Sequence, residues 1–189
     1  MDAMDTARKQ NDFSKGSVVG SILSLALPMT LAQLINILYN VVDRMYIGRI
    51  PGQGSLPLTG LGLCMPLISV IIAFANLFGT GGAPLCSIAR GKGDLQGAER
   101  ILGNAFTMLL FTGILLTLLG LFFKKPLLYA FGASDATYPY ADSYLSVYLL
   151  GTLFVMMGLG MNSYINAQGF ARIGMLTTLI RAVLNLLLD

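Results

Sequence analysis

The residues of this chain best suited to chemistry lie inside apolar runs. In the segment LAQLINILYNVVDRMYIG, Gln33, Asn36, Asn40 and Asp43 recur at spacings of 3, 4 and 3. At 100° per residue they fall within an arc of roughly 80° on a helix, and Leu34, Ile37, Leu38, Val41 and Val42 cover the rest. A second stripe closes the chain, where Arg181, Asn185 and Asp189 follow one another at intervals of four. Polar stripes of this kind belong against a cavity or a partner helix. An aspartate facing lipid at mid-bilayer costs about 2.5 to 3.5 kcal/mol even on insertion scales.

Two carboxylates at similar depth on neighbouring helices would repel each other, and poor hydration would add to the penalty, so that sharing a proton or a cation becomes favourable. The chemistry implied is reversible binding of H+ or Na+, the latter held by carboxylate and amide oxygens, which suit hard cations. Asp43, Asn185 and Asp189 are the candidate ion ligands, with Gln33, Asn36 and Asn40 as a supporting polar face. Interhelical hydrogen bonding is the plainer role for Gln33 and Asn36. Arg181 lies two turns before Asp189, placed either to neutralise an acid or to snorkel to the nearer membrane face.

The elements that must position these groups are membrane helices. Hydrophobic residues make up 55% of the chain and charged residues 11%, with a mean hydropathy of +0.73. The stretches 51–89, 101–123 and 143–171 carry no Asp, Glu, Lys or Arg, and about 20 apolar residues suffice to cross a bilayer. Five spans are expected, at about 20–48, 60–88, 101–123, 143–169 and 173–189, after an N-terminal segment 1–18. Backbone satisfaction in lipid makes them helices, since a closed barrel would show short alternating strands instead. The fold class is therefore an all-α integral membrane bundle. Pro28 interrupts the first helix and marks either a bend or a static kink.

Arg8, Lys9, Lys15, Arg90, Lys92, Arg100 and Arg172 fall on one side of this arrangement, against Arg49, Lys124 and Lys125 on the other. That asymmetry puts the N-terminus in the cytoplasm. A bacterial inner membrane is the expected location, without a cleaved signal peptide.

Several function classes drop out. The chain has no His and two Cys, so zinc sites and His-dependent triads are excluded. Cys64 and Cys86 would stand about 33 Å apart on one helix, too far for a disulfide. The loop RGKGDLQGAER is glycine-rich and basic, yet Cys86 stands where a P-loop needs its first glycine and Gly93 where it needs Ser or Thr. A solvated turn is the reading. No enzyme activity, no organic cofactor and no nucleic-acid partner is expected. The partners are lipid and small organic substrates.

Taken together, LALPMTLAQLINILYNVVDRMYIG, GTGGAPLCSIARGKGD and NAQGFARIGMLTTLIRAVLNLLLD resemble the multidrug and toxic compound extrusion (MATE) transporters over nearly the whole chain. The resemblance implies a twelve-helix antiporter of two six-helix lobes that exports organic, often cationic compounds in exchange for H+ or Na+. It implies that 19–189 is the first five helices of the N-lobe, with a sixth helix and a C-terminal lobe as the missing partners. It also implies an ion site of a first-helix acid with an Asn and an Asp on the fifth helix, places that Asp43, Asn185 and Asp189 fit. Bending of the first helix at its proline, here Pro28, accompanies protonation in that family.

Possible substrate contacts are Tyr39, Met45, Met156, Met157, Met161 and Tyr164, for which core packing is the default. Two other readings compete. A lipid-linked sugar flippase would want basic residues along its cavity, and only Arg44 and Arg181 lie within spans. An intramembrane aspartyl protease also uses two membrane aspartates, but Asp189 follows LLL rather than a glycine-rich turn, and Asp43 follows Val42 rather than a tyrosine.

Overall fold

A computed structural model describes residues 18–47 and 55–188, and within these it leaves the side chains of residues 18, 21, 43, 47, 181, 182 and 184–188 undescribed. Five helices follow one another: α1 (Val18–Ile47), α2 (Leu56–Gly91), α3 (Leu95–Ala130), α4 (Tyr138–Ala167) and α5 (Ala171–Leu188). The first four are long and apolar enough to cross a membrane, while α5 is a shorter apolar helix. All described secondary structure is helical.

The helices outrun their apolar stretches. The second and third each hold 36 residues, about 54 Å at 1.5 Å per residue, so they project beyond a hydrocarbon core of about 30 Å. Glu99, Arg100, Lys124 and Lys125 therefore lie within α3 rather than in loops. Helix continues in the headgroup region because its backbone hydrogen bonds are made locally, whatever surrounds the side chains.

Three turns are tight for a common reason. Gly93, Gly132 and Gly169 take positive φ values of 79°, 98° and 88° just beyond α2, α3 and α4. After each, the next residue donates back into the helix, Asp94 to Ala89, Ala133 to Leu128 and Phe170 to Ile165. These are Schellman closures, which reverse the chain while satisfying the last carbonyls. Asp94 then caps α3 by accepting from Gly97 N at 2.8 Å. So the expected solvated turn is only Lys92–Asp94, and the rest of RGKGDLQGAER is helix.

The core is a three-helix unit. α4 packs most extensively on α2, and α3 packs against both. Cys64, Ile68, Ile71 and Ala75 of α2 meet Leu109 and Leu128 of α3 and Leu145, Leu149 and Met156 of α4. Small residues allow the approach, since a Cβ on Gly79 would stand 2.7 Å from Gly160 Cα. Tyr164 spans the same interface and donates to Phe78 O at 2.9 Å. A partly buried ion pair ties α3 to α4: Lys124 Nζ reaches Asp142 Oδ1 at 2.8 Å and Ser146 Oγ at 2.7 Å. Tyr138 OH donates to the same carboxylate at 2.8 Å.

The first helix stands apart from this core. It packs along α5 and scarcely meets α2, and α5 in turn leans on α4. Arg44 bridges α1 to α2, its guanidinium approaching Met65 Sδ at 3.9 Å. The outward faces of α1, α3 and α4 are rich in exposed Leu, Ile, Val and Phe, as a lipid-facing surface requires.

Candidate functional site

The site is built where α1, α4 and α5 meet. Sequence periodicity puts Gln33 and Asn36 on one face of α1, and the fold turns that face toward the other two helices. A cavity of about 250 Å³ opens there. From α1 it is lined by Met29, Ala32, Gln33 and Asn36, and from α4 by Asn162 and Asn166 among others. From α5 come Gly174, Met175, Thr177 and Thr178.

Among the described lining residues none is charged, and their polarity comes from amide and hydroxyl groups. Thr177 and Thr178 hydroxyls donate to Gly174 O at 2.8 and 3.1 Å, which uses their protons and leaves their oxygens as acceptors. Asn162 Oδ1 and Asn166 Oδ1 are buried and accept no hydrogen bond among the described residues. A wall with surplus acceptors attracts hydrogen-bond donors and cations and repels anions.

Asp43 lies on α1 seven residues past Asn36, about 10 Å along the axis. Its side chain, with those of Arg181 and Asn185, lies outside the described residues, as does the whole of Asp189. What the fold supplies is the helix pairing: α1, which carries Asp43, and α5, which carries Arg181 and Asn185, pack against each other. Asn40 is exposed and bonds back along its own helix, with Nδ2 donating to Asn36 O at 2.6 Å and Oδ1 at 3.2 Å. Pro28 is buried within α1, next to Met29 at the cavity wall.

Residues 28–189 match the MatE family model. This chain belongs to the MatE family. Over 177 residues it is 26% identical to the multidrug export protein MepA of Staphylococcus haemolyticus (strain JCSC1435), covering 94% of this chain and 39% of that protein. MepA of Staphylococcus aureus (strain MRSA252) is 24% identical over the same coverage. A crystal structure of a MATE protein in complex with MaD5 superposes with a TM-score of 0.88 at 26% identity, covering 96% of this chain and 40% of that one. A MATE protein in the bent conformation gives 0.82 at 26% identity, covering 92% and 38%. The MatE chain thus spans about 39% of the length of the curated relatives it matches.

Within this MatE bundle the suggested substrate contacts fall in several places. Met156 and Tyr164 are fully packed in the core, at 0% and 1% exposure. Met157 and Met161 pack against that core from its edge, whereas Tyr39 is half-buried and Met45 exposed on α1. None of the six lines the polar cavity. Sequence reasoning passed over Asn162, Asn166, Thr177 and Thr178, which do line it. The signal was present, because Asn162 and Asn166 repeat at the i, i+4 spacing that drew attention to α1, but on a span that carries no charge.

Proposed function

We propose that this MatE chain is part of a multidrug efflux antiporter that exports organic, often cationic compounds in exchange for H+ or Na+. Asp43, Asn185 and Asp189 form its ion-coupling site. The observation that carries the reading is the packing of α1 along α5 in a chain whose family and named relatives are those of multidrug export. That pairing sets α1 and α5 side by side, a neighbourhood that sequence alone leaves open and that supports the reading.

In this reading the acids take up a proton or sodium ion from outside and release it inside, because a carboxylate pair in a poorly hydrated site is stabilised by a shared positive charge. Loss of that charge restores repulsion between them and favours a different packing of α1. Pro28 supplies the point of compliance, since its ring removes one backbone donor inside the helix. The N-terminus faces the cytoplasm, and the α2–α3 and α4–α5 turns, with Arg90, Lys92, Arg100 and Arg172, face the same side.

Reconstitution of the full-length protein into proteoliposomes, with proton and sodium gradients imposed in turn, tests the exchange. Drug movement driven by one of these gradients and abolished by its collapse is the expected result. Movement indifferent to both gradients would refute ion coupling.

A further inference from the structure

The two unpaired amide oxygens in the cavity converge on one point. Asn162 and Asn166 stand one turn apart on α4, and both aim their Oδ1 atoms at the space above Gly174 of α5. A Cβ placed on Gly174 would lie 2.6 Å from Asn162 Oδ1 and collide with Asn166 Oδ1. Glycine at this position is what leaves the space open.

Two like-oriented carbonyl dipoles facing the same small volume repel, and each also loses hydration by being buried. Something positive between them removes both penalties. The nearby hydroxyls of Thr177 and Thr178 have given their protons to Gly174 O, so on that side too the wall presents oxygen. Gln33 and Asn36 complete the lining from α1.

We propose that this α1–α4–α5 cavity binds a partly dehydrated monovalent alkali-metal cation, ligated by Asn162 Oδ1 and Asn166 Oδ1 over Gly174, with Thr177 or Thr178 oxygen as a further ligand. Hard cations take oxygen ligands of this kind. No carboxylate lines the cavity among the described residues, and neutral oxygens such as these do not repay the dehydration of Mg2+ or Ca2+, which favours the monovalent class. Asn36, the nearest α1 lining residue to Asp43, is seven residues from it, about 10 Å along the helix, and the proposal does not rest on the role of the acids.

The test is thermal unfolding of the purified full-length protein in detergent, read with a thiol-reactive dye. Cys64 and Cys86 are free and buried, so they report unfolding. Unfolding is compared in NaCl, KCl and choline chloride at equal ionic strength, for the wild type, Asn166→Leu, Asn166→Asp, Gly174→Ala and the Asp43→Asn/Asp189→Asn double variant, the last also with Asn166→Leu or Gly174→Ala added.

The proposal expects Na+ or K+ to raise the midpoint saturably over choline. It expects the double variant, whose amides replace both acids, to keep a saturable rise, and Asn166→Leu or Gly174→Ala introduced into that double variant to lose it. Asn166→Asp should lower the half-saturating concentration by about tenfold or more, by adding a charge to the ligand set. Equal midpoints in all three salts would overturn it and leave ordered water as the occupant. A cation effect abolished by the double variant but kept by Asn166→Leu would overturn it in favour of the acids. Should Asn166→Leu and Gly174→Ala fail to fold, an unchanged half-saturation in Asn166→Asp refutes the site on its own.

Discussion

Gly79 and Gly160 hold α2 and α4 at backbone contact: a Cβ on Gly79 would lie 2.7 Å from Gly160 Cα and 2.9 Å from its carbonyl oxygen. Neither neighbour is a flexible side-chain tip that could move aside. Gly79→Val is therefore expected to separate the two helices that form most of the core. A destabilisation of about 1 to 3 kcal/mol, the range for overpacked interiors, should appear as a lower unfolding midpoint in detergent. Gly62→Ala, on the same helix with open space around it, should change the midpoint by less than a quarter of that shift.

The Lys124–Asp142 pair makes a second prediction. Both side chains are about three-quarters buried, at 25% and 27% exposure, and the carboxylate also accepts from Tyr138. Asp142→Leu would leave the ammonium with only Ser146, at a cost of about 1 to 2 kcal/mol once partial exposure is allowed for. The double variant Lys124→Met/Asp142→Leu should recover most of the loss. Recovery is read from unfolding midpoints, and a double variant no better than Asp142→Leu would contradict the pairing.

Tyr164→Phe removes one hydroxyl from a buried ring and leaves the packing intact. The bond to Phe78 O at 2.9 Å is worth about 1 kcal/mol net. A small fall in unfolding midpoint with unchanged drug export is expected, because Tyr164 lies in the core at 1% exposure and not on the cavity wall. Loss of export at wild-type stability would instead place Tyr164 in the transport path.

Pro28→Ala restores a backbone donor inside α1 and should stiffen it. Export is expected to fall several-fold while the unfolding midpoint holds or rises. Undiminished export would show that compliance at Pro28 is dispensable.

Much of this architecture is legible in the sequence because membrane helices are specified locally. Apolar length gave the five helices, and Gly93, Gly132 and Gly169 stand where three of them turn. The helix ends were less legible. Glu99, Arg100, Lys124 and Lys125 read as loop charges, yet lie on helix that has left the hydrocarbon.

Gln33 and Asn36 of the α1 stripe line a cavity, but which helices close it depends on contacts between α1 and α5, more than a hundred residues apart in sequence. No periodicity encodes such a pairing. Met156 and Tyr164 show the converse problem, since a large flexible or aromatic side chain in a span reads alike whether it packs a core or lines a cavity. Asn162 and Asn166 went unread because neutral amides look like packing glue until their oxygens are found without donors.

The central claim, that Asp43 couples export to an ion, is tested most directly by dye efflux from proteoliposomes containing the full-length protein or its Asp43→Asn variant at matched incorporation. The account predicts that the variant folds and inserts like the wild type but loses gradient-driven efflux, falling to the rate of protein-free vesicles. Efflux by Asp43→Asn at the wild-type rate, still responsive to the imposed gradient, would contradict it.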